Sequence, residues 1–216
     1  MWWLAFPVLG IGKLIYDAVT ESPAPRTQTV LEQNLQRLSL ILSRSEHLKV
    51  GILGQPGAGK SLLLKKMTKS RVRPLPLIGT ETDATNWAED TDVNLLSTYK
   101  DIVFVDVPGY DTATHPALTV CQNFPFEDFD VFIFVVRGKL RGADEAVFGG
   151  ITASGKPVCV TRSFAESCDE DEREAVSADL QKRLHLSSDH HIGFFSNRSG
   201  EGIADIFDAV TACVPA

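Results

Sequence analysis

The octapeptide GQPGAGKS, Gly54 to Ser61, holds the residue types best suited to chemistry in this chain of 216 residues. Its spacing is GxxxxGK[ST]. Gly54, Gly57 and Gly59 let the backbone turn its N–H groups inward around anionic oxygens. Gln55, Pro56, Ala58 and Leu62 complete the loop and the first turn after it. The following helix points its positive end at the same anion. Lys60 offers a mobile charge for terminal phosphates, and the Ser61 hydroxyl a ligand for Mg2+. A chance glycine-rich turn would lack the flanking strand and helix, and both are legible here as LKVGILG and KSLLLKKMTK.

Two further groups belong to the same chemistry. In IVFVDVPGY an apolar strand ends in Asp106, 46 residues after Lys60, with Gly109 three residues on. A carboxylate at that strand end holds Mg2+ directly or through water, and the Gly109 N–H meets a γ-phosphate. Between these motifs, IGTETDATNW offers Thr80, Thr82 and Thr85 as a hydroxyl that closes over the metal. Thr85 is preferred and Thr82 is second, because Thr85 leaves room for one mobile loop and an antiparallel strand before Asp106. The metal set is then Ser61, Thr85 and Asp106.

These groups need a scaffold of strands and helices in alternation. From Leu48 onward, strands are expected at LKVGILG, DVNLLST, DIVFVDV, DVFIFVV, KPVCVT and HIGFFS. Helices are expected at KSLLLKKMTK, LRGADEAVFGGITA, DEDEREAVSADLQKRL and EGIADIFDAVTACV. The near-continuous apolar strands predict a mostly parallel sheet with helices on both faces, an α/β three-layer domain over residues 48–216. The short YK connection before DIVFVDV predicts one antiparallel strand. Upstream, Leu31, Leu35, Leu38 and Leu42 form one helical stripe within residues 30–47, expected to pack across the main domain. The Pro- and Thr-rich residues 20–29 read as a linker.

Composition narrows the partners. The chain is 44% hydrophobic and 23% charged, enough apolar material for a core. A net charge of −7 argues against non-specific nucleic-acid binding. The four cysteines show no CxxC pair and no zinc spacing, which fits a reduced, cytoplasmic chain. Residues 1–19 are the outlier, with no charge before Lys13. They lack the basic start of a signal peptide and are interrupted too soon for a comfortable span. They read either as an apolar anchor at the inner face of a membrane, with Trp2 and Trp3 at the interface, or as a segment packed on the domain. The basic run KKMTKSRVR faces anionic lipid beside that anchor in the first case and solvent in the second.

From Leu48 to Val214 the motifs together resemble a GTPase of the translation-factor-related class on a Ras-like P-loop fold. Within the class they are similar to Era-like and immunity-related GTPases. The resemblance implies GTP or GDP as ligand, Mg2+ as cofactor, and phosphate-site roles for Lys60, Thr85 and Gly109. FFSNRSGEGI resembles the last base-contacting loop, with Ser196, Asn197 and Arg198 under the guanine. In the family another base loop reads [NT]KxD. Aligned on VTRSF, Thr161, Arg162 and Ser163 take the base-contacting places, and Phe164 stands where the guanine-selecting aspartate belongs. The selectivity motif is then degenerate, with Asp169 downstream as a distant substitute. Tyr110 follows DVPG where many small GTPases have the glutamine that orients water, so the monomer is expected to be slow. A homodimer across the nucleotide face would complete the site. Gly57 replaces the asparagine of potassium-dependent relatives, and no potassium ion is invoked.

Three functions compete on these residues. The leading one is a nucleotide-controlled switch that hydrolyses GTP slowly. A nucleotide-binding pseudo-GTPase scaffold follows, supported by Tyr110 and Phe164. An ATP-using P-loop kinase leaves DVPG and SNRSGEGI unexplained.

Overall fold

A computed structural model of the chain describes residues 27–78, 86–187 and 190–213. Six strands run in the order β2-β3-β1-β4-β5-β6. They are β1 Leu48–Gly54, β2 Ser97–Tyr99, β3 Ile102–Asp106, β4 Val131–Val136, β5 Val158–Ser163 and β6 Gly193–Phe195. β1 pairs in parallel with both β3 and β4, β4 with β5, and β5 with β6. Only β2 is antiparallel, against β3. The mostly parallel three-layer sheet expected from the sequence is what the chain forms, including its one antiparallel strand.

Two apolar clusters cover the two faces. On one, α2 (Lys60–Met67) and α6 (Ile203–Thr211) bury Leu63, Leu64, Ile203, Ile206 and Val210 against Val50, Ile52 and Phe104. On the other lie α1 (Val30–Ser43), α3 (Ala117–Asn123), α4 (Gly142–Ala153) and α5 (Glu170–Arg183). β4 is buried along its whole length, as a central strand covered on both faces must be.

The expected elements are trimmed in places. α2 stops at Met67, and DVNLLST yields only a short edge strand at Ser97–Tyr99. α3 was not expected, because it buries one residue, Val120, and leaves no periodic stripe to read. Residues 1–19 and most of the linker lie outside the described residues. Among the described residues no helix is long and apolar enough to cross a membrane.

The leucine stripe upstream packs as expected. Thr29 and Glu32 form a reciprocal capping box that starts α1, and Leu31, Leu35, Leu38 and Leu42 are buried beneath it. The same face carries a polar clamp that the periodicity does not reveal. Asn34, fully buried, donates from its amide to the Trp87 carbonyl at 2.7 Å and to the Asp90 carbonyl at 2.8 Å. Arg37 donates to the Val93 carbonyl. The Trp87 N–H in turn donates to His115 Nε2 at 3.1 Å. Helix α1 thus fastens the segment that precedes β2, and through it the segment that follows β3.

Asn34→Ala would leave the buried Trp87 carbonyl and the part-buried Asp90 carbonyl without their donor. It is expected to cost about 2–4 kcal/mol, read as a lower denaturant midpoint at unchanged m-value. A variant as stable as the parent would show that α1 is held by its leucines alone.

Candidate functional site

The phosphate loop leaves β1 at Gly54 and enters α2 at Lys60. Gly59 sits at φ +93°, and a Cβ there would come within 2.6 Å of the Asn197 amide nitrogen. The last-strand loop therefore packs directly on the phosphate loop, and the Asn197 amide donates to the Gly59 carbonyl at 3.1 Å. Gly109 makes a similar close approach from the other side, where a Cβ would lie 2.4 Å from the Pro56 nitrogen. Both glycines are needed for close contact, and Gly59 also for its left-handed backbone.

Lys60 is buried and donates to the Gly54 carbonyl at 2.8 Å and the Gln55 carbonyl at 3.1 Å. Burial lowers its pKa to about 8, and the Asp106 carboxylate partly opposes that. The Ser61 hydroxyl donates to Asp106 Oδ2. Burial pushes the Asp106 carboxyl up, with Lys60 and the Ser61 hydroxyl pulling it back. Asp106 Oδ1 is buried without a hydrogen-bond partner. A hydroxyl and a carboxylate side by side, with one buried oxygen unsatisfied, are a donor set suited to Mg2+. Thr85 lies outside the described residues, as do Thr80 and Thr82.

Tyr110 turns the other way. It is fully buried, and its hydroxyl donates to Asp144 Oδ1 at 2.8 Å. Burial, with the Asp144 charge beside it, pushes the phenol pKa well up. The Gln55 side-chain amide donates to Asp144 Oδ2, and the Arg141 N–H donates to the same oxygen at 2.8 Å. One carboxylate thus ties the phosphate loop, the residue after DVPG and the start of α4 together. The Gln55 side chain faces this network, so only its backbone remains for phosphate.

The base-reading end departs from the alignment on VTRSF. β5 continues through Ser163, which turns the expected contacts into strand residues. The buried Thr161 hydroxyl donates to the Phe134 carbonyl at 3.4 Å, and the Ser163 hydroxyl to the Val136 carbonyl at 3.2 Å. Arg162 donates to the Ser163 carbonyl at 3.2 Å, and burial lowers its pKa. These three side chains are spent on main-chain carbonyls at the end of the sheet. The loop starts at Phe164, which takes a left-handed backbone, φ 62° and ψ 45°. The turn that follows packs near β6, and the Ser196 hydroxyl first, then a backbone hydrogen bond, hold the exposed Glu166 carboxyl below its ordinary range. Ser196 also accepts from the N–H groups of Arg198 and Ser199 at 3.1 and 3.0 Å.

A carboxylate therefore does follow β5 closely, at the exposed Glu166. The four-residue pattern, moved two places on, reads Ser163-Phe164-Ala165-Glu166. Sequence reasoning missed Glu166 because it placed the strand end too early. The number of residues in β5 that pair with β4, Phe132↔Val158 through Val136↔Arg162, is the signal that sets the register. Asp169 is no substitute, since its side chain accepts from the Glu172 N–H and caps α5.

A family model described as 50S ribosome-binding GTPase matches residues 49–162, more than half of the chain. The chain belongs to this GTPase family. It is 22% identical to GTPase Der of Marinomonas sp. over 209 residues, covering 92% of this chain and 44% of that protein. It is 27% identical to GTPase Der of Myxococcus xanthus over 172 residues, covering 77% of this chain and 35% of that protein. The chain thus spans less than half the length of these relatives. Among solved structures, a probable GTP-binding protein engB aligns at TM-score 0.56 and 16% identity, over 76% of this chain and 97% of that one. A bacterial selenocysteine-specific elongation factor EF-Sec aligns at TM-score 0.53 and 16% identity, over 77% of this chain and 28% of that one. At such identities the structural likeness speaks for the fold, a GTPase G domain. GTP and GDP are the ligands of this family.

Tyr110→Phe removes one of three donors from the buried Asp144. It is expected to lower stability by about 1–3 kcal/mol in thermal or denaturant melts and to leave nucleotide turnover by the folded protein unchanged. A loss of turnover at unchanged stability would instead show the hydroxyl acting on the nucleotide.

Proposed function

We propose that this chain is a Mg2+-dependent switch that binds GTP in preference to ATP and hydrolyses it slowly by itself. The observation that carries the proposal is the gathering of two unlike groups around one loop. Lys60, Ser61 and Asp106 gather at its phosphate end, and Glu166, in the turn that packs near β6, would supply the carboxylate at its base end. Mg2+ bound at Ser61 and Asp106, with Thr85 as the expected third ligand, would neutralise charge between the β- and γ-phosphates. Lys60 would leave the loop carbonyls it now caps and turn to the phosphates. Gly109 packs closely on Pro56, and its N–H would meet the terminal phosphate. Glu166 offers two oxygens for the guanine N–H groups, a pairing that adenine lacks.

Slow turnover follows from Tyr110. Its hydroxyl is committed to Asp144, so it gives no group to orient the attacking water. A second chain across the nucleotide face, or another partner, supplies what is missing; in a small GTPase such help is worth about 10⁵-fold. The same observation supports a second reading, a pseudo-GTPase scaffold that holds nucleotide without useful turnover. Multiple-turnover phosphate release above a Lys60→Ala control separates the two. Nucleotide binding with no release above that control would favour the scaffold.

Glu166→Ala is expected to weaken GTP and GDP at least 10-fold while leaving ATP nearly unchanged, because a lost polar pairing is felt only by the base that made it. Equal affinity of the parent chain for ATP and GTP would defeat the guanine assignment. No binding of either at millimolar nucleotide with Mg2+ would defeat the whole reading.

Residues 1–19 are proposed to hold the domain at a membrane surface, on the strength of their uncharged, tryptophan-bearing start. Flotation with anionic liposomes is expected to be lost when they are removed. Flotation that survives their removal would place the membrane contact elsewhere or nowhere.

A further inference from the structure

The sheet ends at β6, which pairs with β5 and, among the described residues, has no strand on its other side. A cleft of about 690 Å³ opens along this edge. One face of α5 lines it, with Glu170, Arg173, Glu174, Ser177 and Gln181 at helical spacing. Glu201, just before α6, and Asp205 and Ala209 within it line the opposite side, and Gly193 and Phe194 of β6 lie between. Of the residues in α5 only Leu180 is buried, so the helix rests lightly on the sheet and turns a polar face to the cleft. Two bridges hold it there. Arg173 donates to Glu201 Oε1 at 2.7 Å, and the Gln181 amide donates to the His190 carbonyl at 2.9 Å. Gly193 is a second anomaly. A Cβ there would meet nothing nearer than 3.4 Å, and the backbone is not left-handed. Neither packing nor conformation calls for glycine, and a glycine in an edge strand is a place where another backbone can come close. The charge is one-sided as well. Glu170, Glu174 and Asp205 are exposed and, among the described residues, have no ion pair. Arg173 is committed to Glu201, to the Ala165 carbonyl and to the Phe194 ring. His190 and His191 also line the cleft.

We propose that this cleft is a docking site for an extended basic segment of another protein, which adds to the sheet as a strand at the edge of β6. None of these residues belongs to the phosphate site, so the proposal does not depend on the nucleotide reading. An added strand exchanges N–H and C=O groups with β6 and sends alternate side chains toward α5 and toward α6. Carboxylates stand in both directions, Glu170 and Glu174 on α5 and Asp205 on α6. Lysine or arginine therefore suits both faces of the incoming strand, and an acidic segment would meet like charge on either side. A second copy of this chain fits less well, since each copy carries a net charge of −7.

Three labelled peptides, each about ten residues long, test this by fluorescence anisotropy on the full chain. The first has lysines and valines in pairs, which puts both types on both faces of a strand. The second has prolines in place of the valines, which keeps the charge and removes N–H groups from both edges. The third has glutamates in place of the lysines. The lysine–valine peptide is expected to bind, the proline peptide about 10-fold more weakly or worse, and the glutamate peptide not at all. Binding is expected to slow amide hydrogen exchange over residues 190–196 and to leave β2, at the other edge of the sheet, unchanged. Glu170→Gln, Glu174→Gln and Asp205→Asn together are expected to weaken the lysine–valine peptide by about 10-fold with the thermal midpoint nearly unchanged. Absence of binding by the lysine–valine peptide overturns the proposal, and so does equal binding of the glutamate peptide. Equal binding of the proline peptide, or protection at β2 in place of β6, overturns the added strand. Unchanged affinity in the triple variant overturns the acidic walls as its determinant. A dimer seen by sedimentation in the parent and lost in the triple variant would give the cleft to a second copy and overturn the proposed partner.

Discussion

The parallel pairing of β1 on both its edges is the constraint on which the site depends. Ile52 sits opposite Asp106 on β3, and Gly54 sits opposite Val135 on β4. A strand held on two sides cannot slip, since a one-residue shift would reverse every side chain between the two apolar clusters. The point where the chain leaves the sheet at Gly54 is fixed in consequence. So are the distances from that point to Asp106 on one side and to Arg137, just beyond β4, on the other. The loop needs no side chain to find its place, and its side chains are free for other tasks.

Polar groups around the loop show how those tasks are shared. Lys60 caps two carbonyls of its own loop, which keeps a buried ammonium hydrogen-bonded in the absence of an anion. Asp106 is satisfied on one oxygen and open on the other. Asp144 is satisfied by three donors from three elements and has a structural part, keeping Gln55 and Tyr110 turned away from the crevice. The contrast between the two carboxylates separates ligand chemistry from scaffold chemistry. A buried acid with all its hydrogen bonds made is part of the frame, and one with an oxygen left over is a place for a cation.

The phosphate half of this arrangement was legible because it depends on glycines and on spacing along a single strand–loop–helix unit. The base half was not, because it depends on where β5 ends. Val160, Thr161, Arg162 and Ser163 include no glycine or proline to mark a break, and nothing in their types says which of them is the last to pair. Setting the end two residues early put Phe164 in the carboxylate's place and hid Glu166. The clamp from α1 was illegible for a similar reason. Asn34 lies within the leucine stripe, yet its acceptors Trp87 and Asp90 come from a segment more than fifty residues away. Periodicity reports which face of a helix is buried, and it does not report which distant carbonyls that face meets.

The two illegible features bear on one another. Helix α1 holds Trp87, which follows Thr85 closely in the sequence, and the Trp87 main-chain N–H donates to His115, beyond Gly109. The segments before β2 and after β3 are therefore both fastened to the same helix, one directly and one through Trp87. A shift of either segment has to be accommodated at Asn34 or at His115, because both side chains are buried and their hydrogen bonds are costly to lose. Displacement of either segment would therefore be felt at α1, through hydrogen bonds that cannot lengthen cheaply. The N-terminal helix is in this way built into the G domain, even though it precedes the first strand and carries none of the expected phosphate-binding residues.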